Sequence, residues 1–379
     1  MIVRQFLQWV RTAPAADRAD ATSALARAYL YSDLSKDDRI AAEGAMLMLL
    51  DDASPLVREA LAQALAASAE APPAVIFALV GDLPEIAAIV LERSPLLVDA
   101  DLVDRVGGGI AWAQAAVARR APLPRPVAAA LAEVGSPEAC LIMIESPDAE
   151  IPAFSFERLI DRHGHLAAVR EALLARDDLS GAHRQALVVK LSASLAGFVV
   201  DRNWMEEGRA HGIAREACEK ATVTIAAGSP PADTARLVRH LRESAQLTAG
   251  LILRALLSGN VALFEQALVE LSGLPAARVA GLVHDPRGAG LRALYERTGL
   301  PPSAFPAVRA ALDAMHDSGF LGDPGGAARL KRRMIERVLT SCEDHPSADV
   351  EPLLMLLRRF ATEAAREEAR MFCDELAAA

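Results

Sequence analysis

The feature that most constrains this 379-residue chain is a helical phrase that returns. Leu49-Leu50-Asp51-Asp52-Ala53-Ser54-Pro55-Leu56-Val57-Arg58-Glu59-Ala60-Leu61 joins the end of one apolar helix to the start of the next through an acidic Ser-Pro turn. Ser-Pro returns at Ser94 and again at Ser136, spacings of 40 and 42 residues. Helix pairs repeated at such an interval bury their apolar faces only against neighbouring pairs, so they stack into a solenoid.

The period matches that of HEAT or armadillo repeats, and the composition agrees with helices throughout. Hydrophobic residues make up 52% of the chain but aromatics only 4%. The apolar mass is mostly Ala, Leu and Val, and Ala and Leu are strong helix formers. A chain of this length exceeds the size at which one core stops growing, so a repeat array or two domains are expected.

Charge and cysteine usage narrow the function classes. A net charge of −10 and a pI near 5.4 repel polyanions at long range, which disfavours nucleic acid and anionic membranes as partners. Cys140, Cys218, Cys342 and Cys373 are widely separated, so neither a disulfide framework nor a thiolate metal site is indicated, and a reducing cytoplasm is the expected setting. Arg4, Gln5, Gln8 and Arg11 interrupt the apolar start, which does not read as a secretory signal. No uncharged apolar run approaches the roughly 18 residues of a membrane span. Ile2, Phe6, Trp9 and Val10 share one helical face, read as a capping helix rather than a membrane-surface helix.

Local signals set out the helices. Ser35 is placed to cap a helix with Asp38 three residues on, and Ile40, Gly44 and Leu47 with neighbouring Met and Leu residues are expected to form its buried stripe. Ser54 caps the next helix with Pro55 at its first position, and Val57, Leu61 and Leu65 share its core face. Further turns fall at Gly81–Pro84, Ser94-Pro95, Gly135–Pro137, Ser146-Pro147 and Asp177–Ser180. The stretch 197–228 is dense in mixed charge and free of Pro, and is read as one long, partly exposed connecting helix. Beyond Pro230-Pro231 a second set of helices is punctuated by Gly273-Leu274-Pro275 and Gly299-Leu300-Pro301, 26 residues apart, each closing one helix and opening another.

Several segments resemble a known bacterial family. Leu237-Val238-Arg239-His240-Leu241-Arg242, Leu253-Arg254-Ala255-Leu256, Phe264-Glu265-Gln266-Ala267-Leu268, His284-Asp285, Gly290-Leu291-Arg292-Ala293-Leu294-Tyr295 and Gly299-Leu300-Pro301 are similar to the family called domain of unknown function 2336. The phrase around Asp52 and Ser54 resembles its amino-terminal part, so the resemblance extends over most of the chain. It implies a helical-repeat fold and a bacterial cytoplasmic setting. No catalytic residue carries over from it.

The candidate chemistry is sparse. Gly107-Gly108-Gly109 and Gly288-Ala289-Gly290 lack the strand, the Lys-Ser or Lys-Thr and the third glycine of nucleotide loops, and read as turns. His163 and His165, and Cys342 with His345, each offer two metal ligands where a structural zinc needs four, so no metal or other cofactor is expected. His240, with Arg236 four residues before it and Glu243 three after, is a candidate phosphoacceptor on an amphipathic helix. Arg329, Lys331, Arg332, Arg333 and Arg337 form the densest basic cluster, read first as a solvated helix face or a patch for an acidic protein partner and second as a nucleic-acid contact.

The sequence therefore points to an all-α protein, a HEAT-like α-α superhelix in two helical subdomains, residues 1–196 and 229–379, joined by the helix over 197–228. Its expected role is that of a non-catalytic, cytoplasmic scaffold or adaptor in bacterial signalling that binds another protein. The alternatives are a nucleic-acid-binding HEAT-like solenoid and a helical phosphotransfer module.

Overall fold

The computed structural model describes residues 9–10, 12–285, 287–318, 335–336, 338–340 and 351–378. Among them there is no strand, only an isolated bridge between Leu123 and Ala149. The chain divides into two compact units, Met1–Leu179 and Ser180–Ala379.

The first unit contains α1 (Ala15–Tyr31), α2 (Lys36–Leu49), α3 (Pro55–Leu65), α4 (Pro73–Leu79), α5 (Pro84–Arg93) and α6 (Asp99–Gly107). It continues with α7 (Ala111–Ala118), α8 (Arg125–Val134), α9 (Pro137–Glu145), α10 (Ala153–His163) and α11 (Ala167–Ala175). Alternate helices pack on one another: α1, α3, α5, α7, α9 and α11 form one row, and α6, α8 and α10 part of another. Val57, Leu61 and Leu65 are fully buried on α3, and Pro55, Pro73, Pro84 and Pro137 open their helices where a missing N–H costs nothing.

Two sequence expectations change here. The row α3, α5, α7, α9, α11 starts at residues 55, 84, 111, 137 and 167, a period of 26 to 30 residues, not 40 to 42. The Ser-Pro phrase misleads because it marks turns of opposite sense. Ser136 opens α9 and accepts the Ala139 N–H, whereas Ser94 closes α5 and accepts the Leu96 N–H. On α2, Ser35 does accept the Asp38 N–H at 3.2 Å, but the buried stripe is Ala42, Ala45, Met46 and Leu49. Ile40 and Leu47 are exposed, because small alanines let the neighbouring helices come close on the opposite stripe.

Arginines tie successive layers together. Arg18 donates to Asp52 and to the Ala13 carbonyl, and Arg58 donates to Asp82 and to the Asp52 carbonyl. Farther along, Arg120 donates to the carbonyls of Leu91 and Ser94, Arg162 to those of Ala132 and Gly135, and Arg176 to those of Ile144 and Ser146. Each of these last three satisfies carbonyls that a helix leaves unpaired at its C-terminal end, with charge-assisted bonds.

The second unit holds α12 (Gly181–Asp201), α13 (Glu207–Ala227), α14 (Pro231–Glu243), α15 (Ala249–Leu257), α16 (Val261–Ser272), α17 (Ala276–Val283), α18 (Leu291–Arg297), a 3-10 turn (Pro302–Ala304), α19 (Phe305–Ser318) and α20 (Glu351–Ala378). The same alternation recurs, with α12 on α14, α14 on α16 and α16 on α18. Every residue of α15 from Leu251 to Leu257 is buried, as suits a helix enclosed on all sides. Gly273 and Gly299 adopt left-handed φ of 68° and 71°, and chain reversals at Pro275 and Pro301 follow, as the Gly-Leu-Pro phrases predict.

Residues 197–228 are not one helix. They comprise the end of α12, a turn at 202–206 and α13. Asn203 takes the left-handed conformation (φ 54°), which amide side chains tolerate, and it reverses the chain without Gly or Pro. The result is a helical hairpin of two 21-residue arms.

Candidate functional site

The hairpin is anchored at one end and bare at the other. Near its base the Gly181 N–H donates to Asp233 Oδ2 on α14 at 2.7 Å, and a side chain at Gly181 would collide with that carboxylate. Asn260 Nδ2 donates to the Val223 carbonyl of α13. One turn into α12, buried Gln185 donates to Gln246, and His240 Nε2–H donates to Gln185 Oε1 at 3.2 Å.

A second anchor sits on α13. Arg254, only 5% exposed on α15, donates from Nη1 to Glu363 of α20 at 2.6 Å and lies 3.6 Å from both Glu216 and Glu219 of α13. Its guanidinium also lies 4.2 Å from the centroid of the Phe360 ring. Arg359 pairs with Glu216, and Thr248 donates to Glu219.

Beyond these anchors the hairpin inverts the usual pattern. Its buried residues in the outer half are Ser192, Ala196 and Ala210, all small, so the two arms can approach closely. Four large apolar residues face solvent instead: Leu195 is 55%, Phe198 45%, Trp204 66% and Ile213 47% exposed. Leu191, Leu195 and Phe198 recur at i, i+4 and i+7, one helical stripe. Counted back from the turn, Ile213 stands level with Leu195 on the opposite arm.

The end of the hairpin is ordered by its own contacts. Phe198 and Trp204 pack edge to face with centroids 5.7 Å apart, and Arg202 covers both rings, 4.3 Å from the first and 5.5 Å from the second. The Asn203 and Trp204 N–H groups donate to the Val200 and Val199 carbonyls. An aromatic pair held in place by the turn that carries it is a preformed contact surface.

The sites expected from sequence fall elsewhere. Arg329, Lys331, Arg332, Arg333 and Arg337 lie outside the described residues, as do Cys342 and His345. His240 is half-buried on α14 and hydrogen-bonded as above. His163 is buried; burial first, and the charge of Arg162 second, lower its pKa, which favours the neutral imidazole. Among the described residues no three His, Cys, Asp or Glu side chains converge as metal ligands, and no helix is long and apolar enough to cross a membrane. An open cleft of about 780 Å³ between the ends of α9 and α11 is lined by Glu145, Glu171, Asp177 and Asp178, with Arg176 committed to Asp178 and to carbonyls.

The family described as "Uncharacterised protein conserved in bacteria (DUF2336)" matches residues 86–348, well over half of the chain. The chain belongs to this family. The DUF2336 match takes in the whole α12–α13 hairpin and the anchors on α14 and α15, and begins after the Leu49–Leu61 phrase, which lies ahead of it. No curated protein and no solved structure matches the chain.

Charge clusters do not point to the hairpin end, which is marked by apolar residues. The signal was present: a Leu191, Leu195, Phe198 stripe runs into Trp204 in a segment otherwise rich in charge.

Proposed function

We propose that this DUF2336 protein is a non-catalytic, cytoplasmic scaffold that works by binding protein at the bare end of the α12–α13 hairpin. The observation that carries this reading is the inversion of that end, with small residues inside and Leu195, Phe198, Trp204 and Ile213 outside. Exposed aromatic and aliphatic groups that cluster and are already ordered mark interaction surfaces, and Trp is the residue most enriched among those that dominate binding.

The same proposal takes each unit to be a HEAT-like helical array. Packing of every second helix in both units and the arginine ties between layers of the first support it, although the 26-to-30-residue spacing of the first unit is shorter than the HEAT period. In such an array the interior is held by Ala and Leu and the outer side chains are left to recognition.

Capture of the tagged chain from its native cells, with and without nuclease, tests the reading. The wild type should retain a protein in near-stoichiometric amount regardless of nuclease, and the Leu195→Glu/Trp204→Glu double variant should lose it. Retention by the double variant, or recovery that depends on nucleic acid, refutes it.

A further inference from the structure

We propose that the protein bound at the hairpin end is a second copy of this chain, so that two α12–α13 hairpins close into a four-helix bundle. This rests on the reading of the hairpin as a protein-binding surface and names its occupant.

The first argument is geometric. In the outer half of the hairpin Leu195 and Phe198 stand exposed on one stripe, with Leu191 half-buried at its inner end, and the closed solution for two such hairpins is the four-helix bundle. A two-fold interface must be self-complementary, since the same patch serves both partners. The stripe on α12 meets that condition: Leu195 and Phe198 of one copy lie against the same residues of the other near the axis, with the Arg202–Trp204 stack at the rim.

The second argument is electrostatic. The whole chain carries −10, so copies repel at long range over most of their surface. Between Leu195 and Ile213, Asp201, Glu206 and Glu207 are set against Arg202 and Arg209, a nearly balanced set of both signs. This end can meet its own copy with little repulsion and with opposite charges available on each side. A strongly basic or acidic partner would gain nothing from such a balanced surface.

Area agrees. Leu195, Phe198, Trp204 and Ile213, at their observed exposures, offer roughly 400 Å² of apolar surface per copy, about half of the ~800 Å² per partner in a standard interface, the remainder being polar rim. That is an apolar share typical of specific interfaces.

Sedimentation equilibrium of the full-length protein across a wide concentration range tests the proposal. The wild type should approach twice its 40.2 kDa mass at high concentration. Leu195→Glu and Trp204→Glu should each raise the dissociation constant by about 30-fold or more, the effect of losing a dominant contact, with the far-ultraviolet circular dichroism spectrum unchanged. A photo-crosslinking residue placed at position 195 should yield a homodimer band, and one at exposed Phe154 in the first unit should not. A monomer at every concentration, or a dimer indifferent to both charged substitutions, overturns the second-copy proposal. If residue 195 crosslinks in cells to a different protein, the second copy is ruled out while the scaffold reading stands; if nothing is captured or crosslinked, both fall.

Discussion

Arg254 and Glu363 are 109 residues apart in the chain, yet a single 2.6 Å hydrogen bond joins them at the centre of the second unit. Through this contact and the flanking Glu216 and Glu219, one buried guanidinium holds α13, α15 and α20 together. Arg254→Met removes the cation shared by three carboxylates, of which Glu216 keeps Arg359 as a cationic partner while Glu219 and Glu363 lose theirs. Because those carboxylates retain some solvent contact, the expected loss is about 2–3 kcal/mol rather than the full penalty of a buried unpaired charge. For a unit of this size that lowers Tm by about 5–10 °C, and hydrogen exchange should show α20 opening first. A melt unchanged within about 1 °C would remove Arg254 from this role.

Acid sensitivity should concentrate at the Arg–Asp ties of the first unit. Hydrogen bonding to Arg18 holds the Asp52 carboxyl below its ordinary value against the opposing effect of burial, with help from the Ser54 N–H and the Arg58 charge. Burial pushes Asp82 up, but Arg58 and the Leu83 N–H together bring it below the ordinary value. The unfolded chain thus takes up these protons first as pH falls. The stability they contribute is complete above about pH 4 and is lost as pH drops through the lower folded values. Asp52→Asn should flatten the acid limb of stability measured by urea melts from pH 7 to pH 3. A variant whose decline runs parallel to the wild type would show that these ties do not govern the acid limb.

Two glycine substitutions should act in opposite directions. At Gly181 a Cβ would stand 2.9 Å from Asp233 Oδ2 and 3.2 Å from Ser229 Oγ, so Gly181→Ala should push α14 from the hairpin base and cost about 1 kcal/mol or more. At Gly281 on α17 an added Cβ meets nothing, so Gly281→Ala should gain about 0.5–1 kcal/mol from helix propensity and a less flexible unfolded chain. Chemical denaturation of both variants checks the pair, and two shifts of the same sign would contradict the packing described at Gly181.

Thiol reactivity should separate Cys140 from Cys373. Burial pushes the Cys140 thiol up to about 11, and its Sγ–H donates to the Leu131 carbonyl, whereas Cys373 is exposed on α20. A thiolate-selective reagent should label Cys373 in the native protein and Cys140 only on unfolding. Mass mapping of native labelling decides this, and early modification of Cys140 would mean that α9 opens locally.

Features written into neighbouring residues were legible from sequence. The Ser35 and Ser136 caps, the Val57, Leu61, Leu65 stripe and the Gly273 and Gly299 terminations each depend on residues within about two turns. What failed needed a choice between two local signals of equal strength. The Ser-Pro phrase fits a helix start and a helix end alike, and α2 offers both an Ile40, Leu47 stripe and an Ala42, Ala45, Met46, Leu49 stripe. The break between α12 and α13 carries no Gly or Pro, and relies on Asn203. The Arg254 network was beyond local reading, since its carboxylates come from two distant helices.

The arginine ties also set a timetable for synthesis. Arg120, Arg162 and Arg176 reach back 29, 30 and 32 residues to the carbonyls of Leu91, Ala132 and Ile144. A ribosome delivers the chain N-terminus first, so each of these helix ends leaves the exit tunnel before the arginine that completes it exists outside. The first unit therefore consolidates about one helix pair behind the growing end, and a stalled or truncated chain always carries one last layer with its carbonyls open.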